Sequence, residues 1–239
     1  MIVIIQIGFI LRYAMCQFMP NDIQICSKAS KCFSITIAKD LVIAKQGTTG
    51  ATTITGGITG TGNLTLDNFG TTGTIVLSTN AINNTGFIKN SGIGATGTTT
   101  ISAALSGTTG LTKTGAGTLV MSGHNTYTGG TTVTAGTLSL GANDVFYDGG
   151  ALLVNGGTLA IGAYSDTVDL VTLSSGSITG GAGVLSANGY SITNASGTAT
   201  VSANLAGAGG LTKTGAGNLD LSGANNYAGN TLISAGTLT

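Results

Sequence analysis

One stretch of this chain returns a hundred residues later without an insertion. Residues 110–138 read GLTKTGAGTLVMSGHNTYTGGTTVTAGTL, and residues 210–238 read GLTKTGAGNLDLSGANNYAGNTLISAGTL. A constant offset over that length means a repeated structural unit, and units that cannot bury a core alone must stack on one another. A shorter beat runs inside the long one. Gly-Thr-Leu at Gly117, Gly136 and Gly157, followed by Gly-Ser-Ile at Gly176, gives steps of 19, 21 and 19 residues. A step of about twenty residues made of short strands predicts one turn of a β-solenoid, an all-β parallel β-helix.

The two long copies also report which side chains face inward. Leu119 recurs as Leu219, Met121 as Leu221 and Val133 as Ile233, all apolar, whereas Val120 becomes Asp220 and His124 becomes Ala224. A buried position rarely accepts the second kind of exchange. Leu119 and Met121 flank a variable residue, the period of a strand with one buried face, and Leu138 and Leu140 repeat it. The core is therefore predicted as stacked rows of Leu, Ile and Val, with Thr, Ser and Asn outside. Lys113 shares the parity of Leu111, yet lysine is seldom buried unpaired. The expectation is that the chain turns a corner there.

Composition separates this body from what precedes it. Residues 1–45 hold Cys16, Cys26, Cys32, the one proline (Pro20) and only one of the 41 glycines, so a boundary is placed at Gln46–Gly47. Residues 46–239 form the predicted solenoid, with Gly, Asn and Asp at bends that need positive φ. Low charge (7%) with 41% hydrophobic residues is the opposite of a disordered segment. Residues 1–11 are apolar but shorter than the roughly twenty residues of a membrane-spanning helix, and Arg12 follows the apolar run instead of preceding it as a signal peptide requires. The segment is read as an atypical signal, a cap or a non-native start. The cysteines, ten and six residues apart, have no metal-pair spacing.

Catalytic chemistry has little to draw on. The chain contains no Glu and one His. Asp144, Asp148, Asp166 and Asp169 lie within one stretch, where successive coils would bring them together as a calcium site or a hydrolytic pair. The plainer reading puts Asp144 and Asp148 in a loop, residues 143–150, and Asp166 and Asp169 on an exposed bend. That reading is taken, and no catalytic, cofactor-binding or metal site is expected. Gly115-Ala116-Gly117 joins two strands and opens no helix, so it is no phosphate loop. Asn63, Asn83 and Asn194 stand in N-x-[ST] triplets of the kind abundant Thr and Ser produce by chance. Beyond Lys45 three Lys face six Asp, a net charge of −3, which excludes a nucleic-acid surface. Thr-x-Thr triplets raise a flat ice- or carbohydrate-binding face, but Thr132 and Thr134 become Leu232 and Ser234, so that array is interrupted.

The paired segments closely resemble the autotransporter-associated β-strand repeat, found in passenger domains of type V secreted proteins of Gram-negative bacteria. The Gly- and Thr-rich, Glu-free background also resembles the large rickettsial surface-antigen autotransporters. The resemblance implies a right-handed parallel β-helix displayed at the bacterial surface or outer membrane. It implies export by a signal peptide and a C-terminal β-barrel translocator as partner in the full-length protein. No barrel strands follow here, and the chain stops at Thr239 within a repeat unit, so it is expected to be a passenger fragment. Its open edge there is expected to self-associate. The function expected is a non-catalytic structural stalk or adhesive module contacting host-cell surfaces or sister molecules. The competing reading is a β-helix polysaccharide-degrading enzyme that uses the Asp cluster.

Overall fold

The computed structural model describes residues 34–45, 50–69, 73–92, 97–107 and 110–239. The readings placed on residues 1–11 and on Cys16, Cys26 and Cys32 lie outside the described residues. Every described strand pairs parallel with a strand one coil away, and the described residues contain no helix.

The coils can be counted along one inward row. Leu41, Leu64, Ile88, Leu111, Thr131, Leu152, Val171, Tyr190, Leu211 and Thr231 are partners in unbroken succession, which makes ten coils. At about 4.8 Å per layer the rod is roughly 45 Å long. From Leu111 onward the steps are 19 to 21 residues, as the sequence predicts; Leu41 to Leu111 takes steps of 23, 24 and 23. The extra residues lie between the first and second faces. Leu41 precedes Ala51 by ten residues, whereas Leu111 precedes Thr118, at the matching row positions, by seven.

Each coil offers up to three faces to a common core. The first carries Leu111–Lys113 and its partners, the second Thr118–Met121 and its partners, and the third Ile35–Ile37, Ile58–Gly60 and Ile82–Asn84, with Leu105 bridged to Ile82. The second face alternates, with Leu119 and Met121 fully buried and Thr118 and Val120 half-buried, until the last coil, where Thr237 and Leu238 are both exposed. Ile35–Ile37 and Leu41–Lys45 already stack in register on Ile58–Gly60 and Leu64–Asn68, so the ladder is running before the compositional break at Gln46.

Bend chemistry, expected from the sequence, and close stacking act together at the glycines. A Cβ on Gly136 would meet the Gly115 carbonyl oxygen at 2.3 Å, and its φ of 63° disfavours any side chain. Gly236 repeats the arrangement against the Gly217 oxygen at 2.1 Å, with φ of 74°.

Candidate functional site

The most distinctive chemistry lies inside the rod. Beside the all-coil row above runs a second inward row: Ile43, Leu66, Asn90, Lys113, Val133, Val154, Leu173, Ile192, Lys213 and Ile233. Lys113 and Lys213 are completely buried in it. The parity that placed Lys113 inward is therefore correct, and the expected escape at a corner is not taken. The corner matters differently: it aims carbonyls back at the ammonium. Lys113 Nζ donates to the Gly115 oxygen, and Lys213 Nζ donates to the Gly215 oxygen at 2.7 Å and to Asn194 Oδ1 at 3.2 Å. These are carbonyl acceptors, not carboxylates. Burial accordingly pulls the Lys113 pKa down from 10.5 to about 8.

Two further polar side chains of the repeat are sealed in the same way. Asn125 accepts from Leu105 N at 2.8 Å on one coil and donates to the Val145 oxygen at 2.6 Å on the next, so one amide clasps three layers. Asn225 repeats the lower half, accepting from Leu205 N at 2.9 Å. Tyr127 is buried, with its hydroxyl 2.5 Å from Thr131 Oγ1, and Tyr227 meets Thr231 likewise at 2.6 Å. Burial raises the Tyr127 phenol well above its ordinary range. Sequence reasoning missed this pair of roles. The signal was there: Asn125 and Tyr127 recur as Asn225 and Tyr227 while their neighbours His124 and Thr126 change.

The aspartates do not assemble into a site. Asp144 and Asp148 are exposed in the loop, as expected. Asp166 corrects the expectation: it is buried at the head of Asp166–Gly180, in an inward row with Leu185 and Leu205, not on an exposed bend. Its carboxylate accepts from Val145 N at 2.8 Å, Phe146 N at 3.1 Å and Thr167 N at 2.9 Å, which fastens the loop to the next coil. Burial nevertheless raises its pKa from 3.8 to about 6, with the Asp144 charge adding to the rise. Asp169 is exposed and accepts from Asn188 Nδ2 at 2.9 Å. Among the described residues no three His, Cys, Asp or Glu side chains group as a metal site, and no helix is long and apolar enough to cross a membrane.

Other candidates resolve simply. His124 is exposed, its Nδ1 2.8 Å from the Asp144 carbonyl oxygen. Asn194 is buried as an acceptor for Lys213, which closes that N-x-[ST] triplet to modification of the folded chain. A cleft beside the loop, between Tyr127, Phe146, Tyr147 and Val168, encloses about 180 Å³ including its open mouth. Its enclosed part, about 10 Å³, holds no more than about one water molecule.

What the geometry defines is a stacking module: a parallel solenoid coil with a lysine, an asparagine and a tyrosine turned inward at fixed offsets. The family model described as passenger-associated-transport-repeat matches residues 111–140 and 211–239, the two segments that carry that set. Two such repeats indicate an autotransporter passenger with β-repeats, and they imply export to the cell surface or extracellular space. The match does not narrow to the rickettsial antigens. No curated protein and no solved structure matches the chain.

Proposed function

We propose that this chain is a non-catalytic stalk and adhesive module of an autotransporter passenger, holding contact surfaces away from the bacterial outer membrane. The observation that carries the reading is the inward placement of the repeat's polar groups. Asn125 and Asp166 spend their hydrogen-bonding capacity on neighbouring coils, which fixes stacking, while Lys113 and Tyr127 pin the chain locally to Gly115 and Thr131. Such a body suits many weak contacts with host-cell surfaces or sister molecules. The enzyme reading loses its candidate carboxylates, because Asp166 is enclosed by backbone N–H groups and stands apart in role from exposed Asp169.

The test is display of the full chain on bacteria through a heterologous translocator. Displaying cells should bind cultured host cells, or settle together, above the level of cells displaying no passenger. No gain in either, with the chain demonstrably at the surface, would refute the adhesive part. Cleavage of a surface polysaccharide that disappears in Asp169→Asn would refute the non-catalytic part.

A further inference from the structure

Asn-Gly occurs twice in the chain, at Asn155-Gly156 and at Asn188-Gly189. In such a pair the glycine nitrogen lies next to the asparagine side-chain amide, with no Cβ to shield it. The fold treats the two pairs differently. Asn155 and Gly156 are both exposed, where the chain leaves the first face for the second. The register slips on either side of Asn155, and Gly156 and Gly157 stand outside the register of both neighbouring ladders. Gly156 has a φ of 118°, so the backbone has already left the extended path there. Ser175 Oγ donates to Asn155 Oδ1 at 3.2 Å, a contact to the carbonyl side of the amide.

Asn188-Gly189 is held on every side. Asn188 Nδ2 donates to Asp169 Oδ1 at 2.9 Å, so its amide nitrogen is fixed by a carboxylate one coil below. Gly189 keeps ladder register with Leu170. Gly209 of the next coil packs on the peptide between the two residues. A Cβ built on Gly209 would lie 2.1 Å from the Asn188 carbonyl carbon and 2.4 Å from Gly189 N. Turning that peptide to meet the side chain therefore drives it into backbone, and interiors packed this closely do not yield.

We propose that Asn155 is a self-modification site, deamidating in the folded chain to aspartate and isoaspartate while Asn188 is preserved. Gly156 N gives its proton to hydroxide and attacks Asn155 Cγ. The N–Cγ bond forms, the Cγ–Nδ2 bond breaks, and the nitrogen takes a proton from water and leaves as ammonia, which regenerates hydroxide. Water then adds to either carbonyl of the succinimide ring and opens it to a carboxylic acid, which ionises. Nothing is oxidised or reduced. The Ser175 hydroxyl stabilises the charge that builds on Oδ1 as the nitrogen adds. Beyond Lys45 the product sets three Lys against seven carboxylates in place of six. Isoaspartate also lengthens the main chain by one carbon, which Gly156 and Gly157 absorb because neither ladder fixes them. The stack survives, and the corner between the two faces becomes anionic. The inference does not rest on the adhesive reading.

The experiment is peptide mapping by mass spectrometry of the full chain, aged in heavy-oxygen water at mildly acidic and mildly alkaline pH. The heavy label marks each newly formed carboxylate. In the folded chain Asn155 should convert about tenfold or more faster than Asn188, the factor that one retained charge-assisted hydrogen bond adds to a barrier. The rate should rise with pH. In urea the two sites should convert at similar rates, because only the shared Asn-Gly chemistry then acts. Ser175→Ala should slow Asn155 severalfold and leave Asn188 unchanged. The urea midpoint of the converted chain should match that of the fresh chain. Equal rates at the two sites of the folded chain, or faster conversion at Asn188, overturns the proposal. So does an Asn155 that stays intact when folded and converts only in urea. An unchanged rate in Ser175→Ala overturns the role given to that hydroxyl.

Discussion

Lys113→Met should make the chain more stable at neutral pH and less stable at high pH. The wild-type ammonium is wholly enclosed, and its pKa falls from 10.5 to about 8. At about 1.36 kcal/mol per pH unit, carrying that charge into the fold costs roughly 3 kcal/mol at pH 7. Met keeps the length of the side chain without the charge, but it leaves the Gly115 carbonyl without its donor, which costs about 2 kcal/mol. The net expectation at pH 7 is a gain of about 1 kcal/mol. Between pH 8 and 10.5 the unfolded chain holds a proton that the folded chain has released, so wild-type stability rises with pH across that window. Above it the neutral amine still donates to Gly115, and wild type should exceed the variant by about 2 kcal/mol. The two stability curves therefore cross near pH 9. Urea denaturation followed by circular dichroism at several pH values measures this, with midpoints compared because stacked repeats need not unfold in one step. Curves that stay parallel, or a variant several kcal/mol less stable at pH 7, would refute the reasoning.

Further outcomes follow from the same interior. Lys213→Met should fare worse than Lys113→Met at pH 7, because it orphans both the Gly215 oxygen and Asn194 Oδ1; equal midpoints would contradict this. For Asp166 the folded pKa of about 6 lies above the ordinary 3.8, so the folded chain holds the extra proton between those values. Its stability contribution is then present below about pH 4 and falls by roughly 3 kcal/mol as pH rises through 6; Asp166→Asn should abolish that slope in urea midpoints. Tyr127→Phe should cost about 1–2 kcal/mol by stranding the buried Thr131 hydroxyl, and Tyr227→Phe less, since that tyrosine is half-exposed. Gly136→Ala should prevent stacking because its Cβ would overlap the Gly115 oxygen, while Gly162→Ala, with φ of 61° and nothing within 4 Å, should cost only about 1–2 kcal/mol of backbone strain. Similar thermal midpoints for those two would count against the stacking geometry.

The solenoid was legible because burial filters substitution: Leu119 and Met121 stayed apolar in the second copy while Val120 did not. Parity also placed Lys113 inward. What was not legible was the corner geometry that turns the Gly115 carbonyl toward it, since that depends on the path of the chain and not on residue type. Asp166 shares parity with buried Val168, so its burial had a local signal that the habit of placing aspartates at bends outweighed. The difference between Asn155 and Asn188 could not be read from sequence, because both precede glycine and only the register slip and the Asp169 contact separate them.

The account stands on in-register parallel stacking, and paired cysteines test it most directly. In a chain with Cys16, Cys26 and Cys32 replaced by serine, Thr112→Cys with Thr132→Cys joins partners one layer apart, and Thr112→Cys with Leu153→Cys spans two layers. Disulfides need Cα atoms about 4.4–6.8 Å apart, which a single layer satisfies and two layers exceed. Rapid intramolecular oxidation of the first pair and none of the second is the predicted result. Equal oxidation of both pairs, or of neither, would contradict the stacking on which every inference above depends.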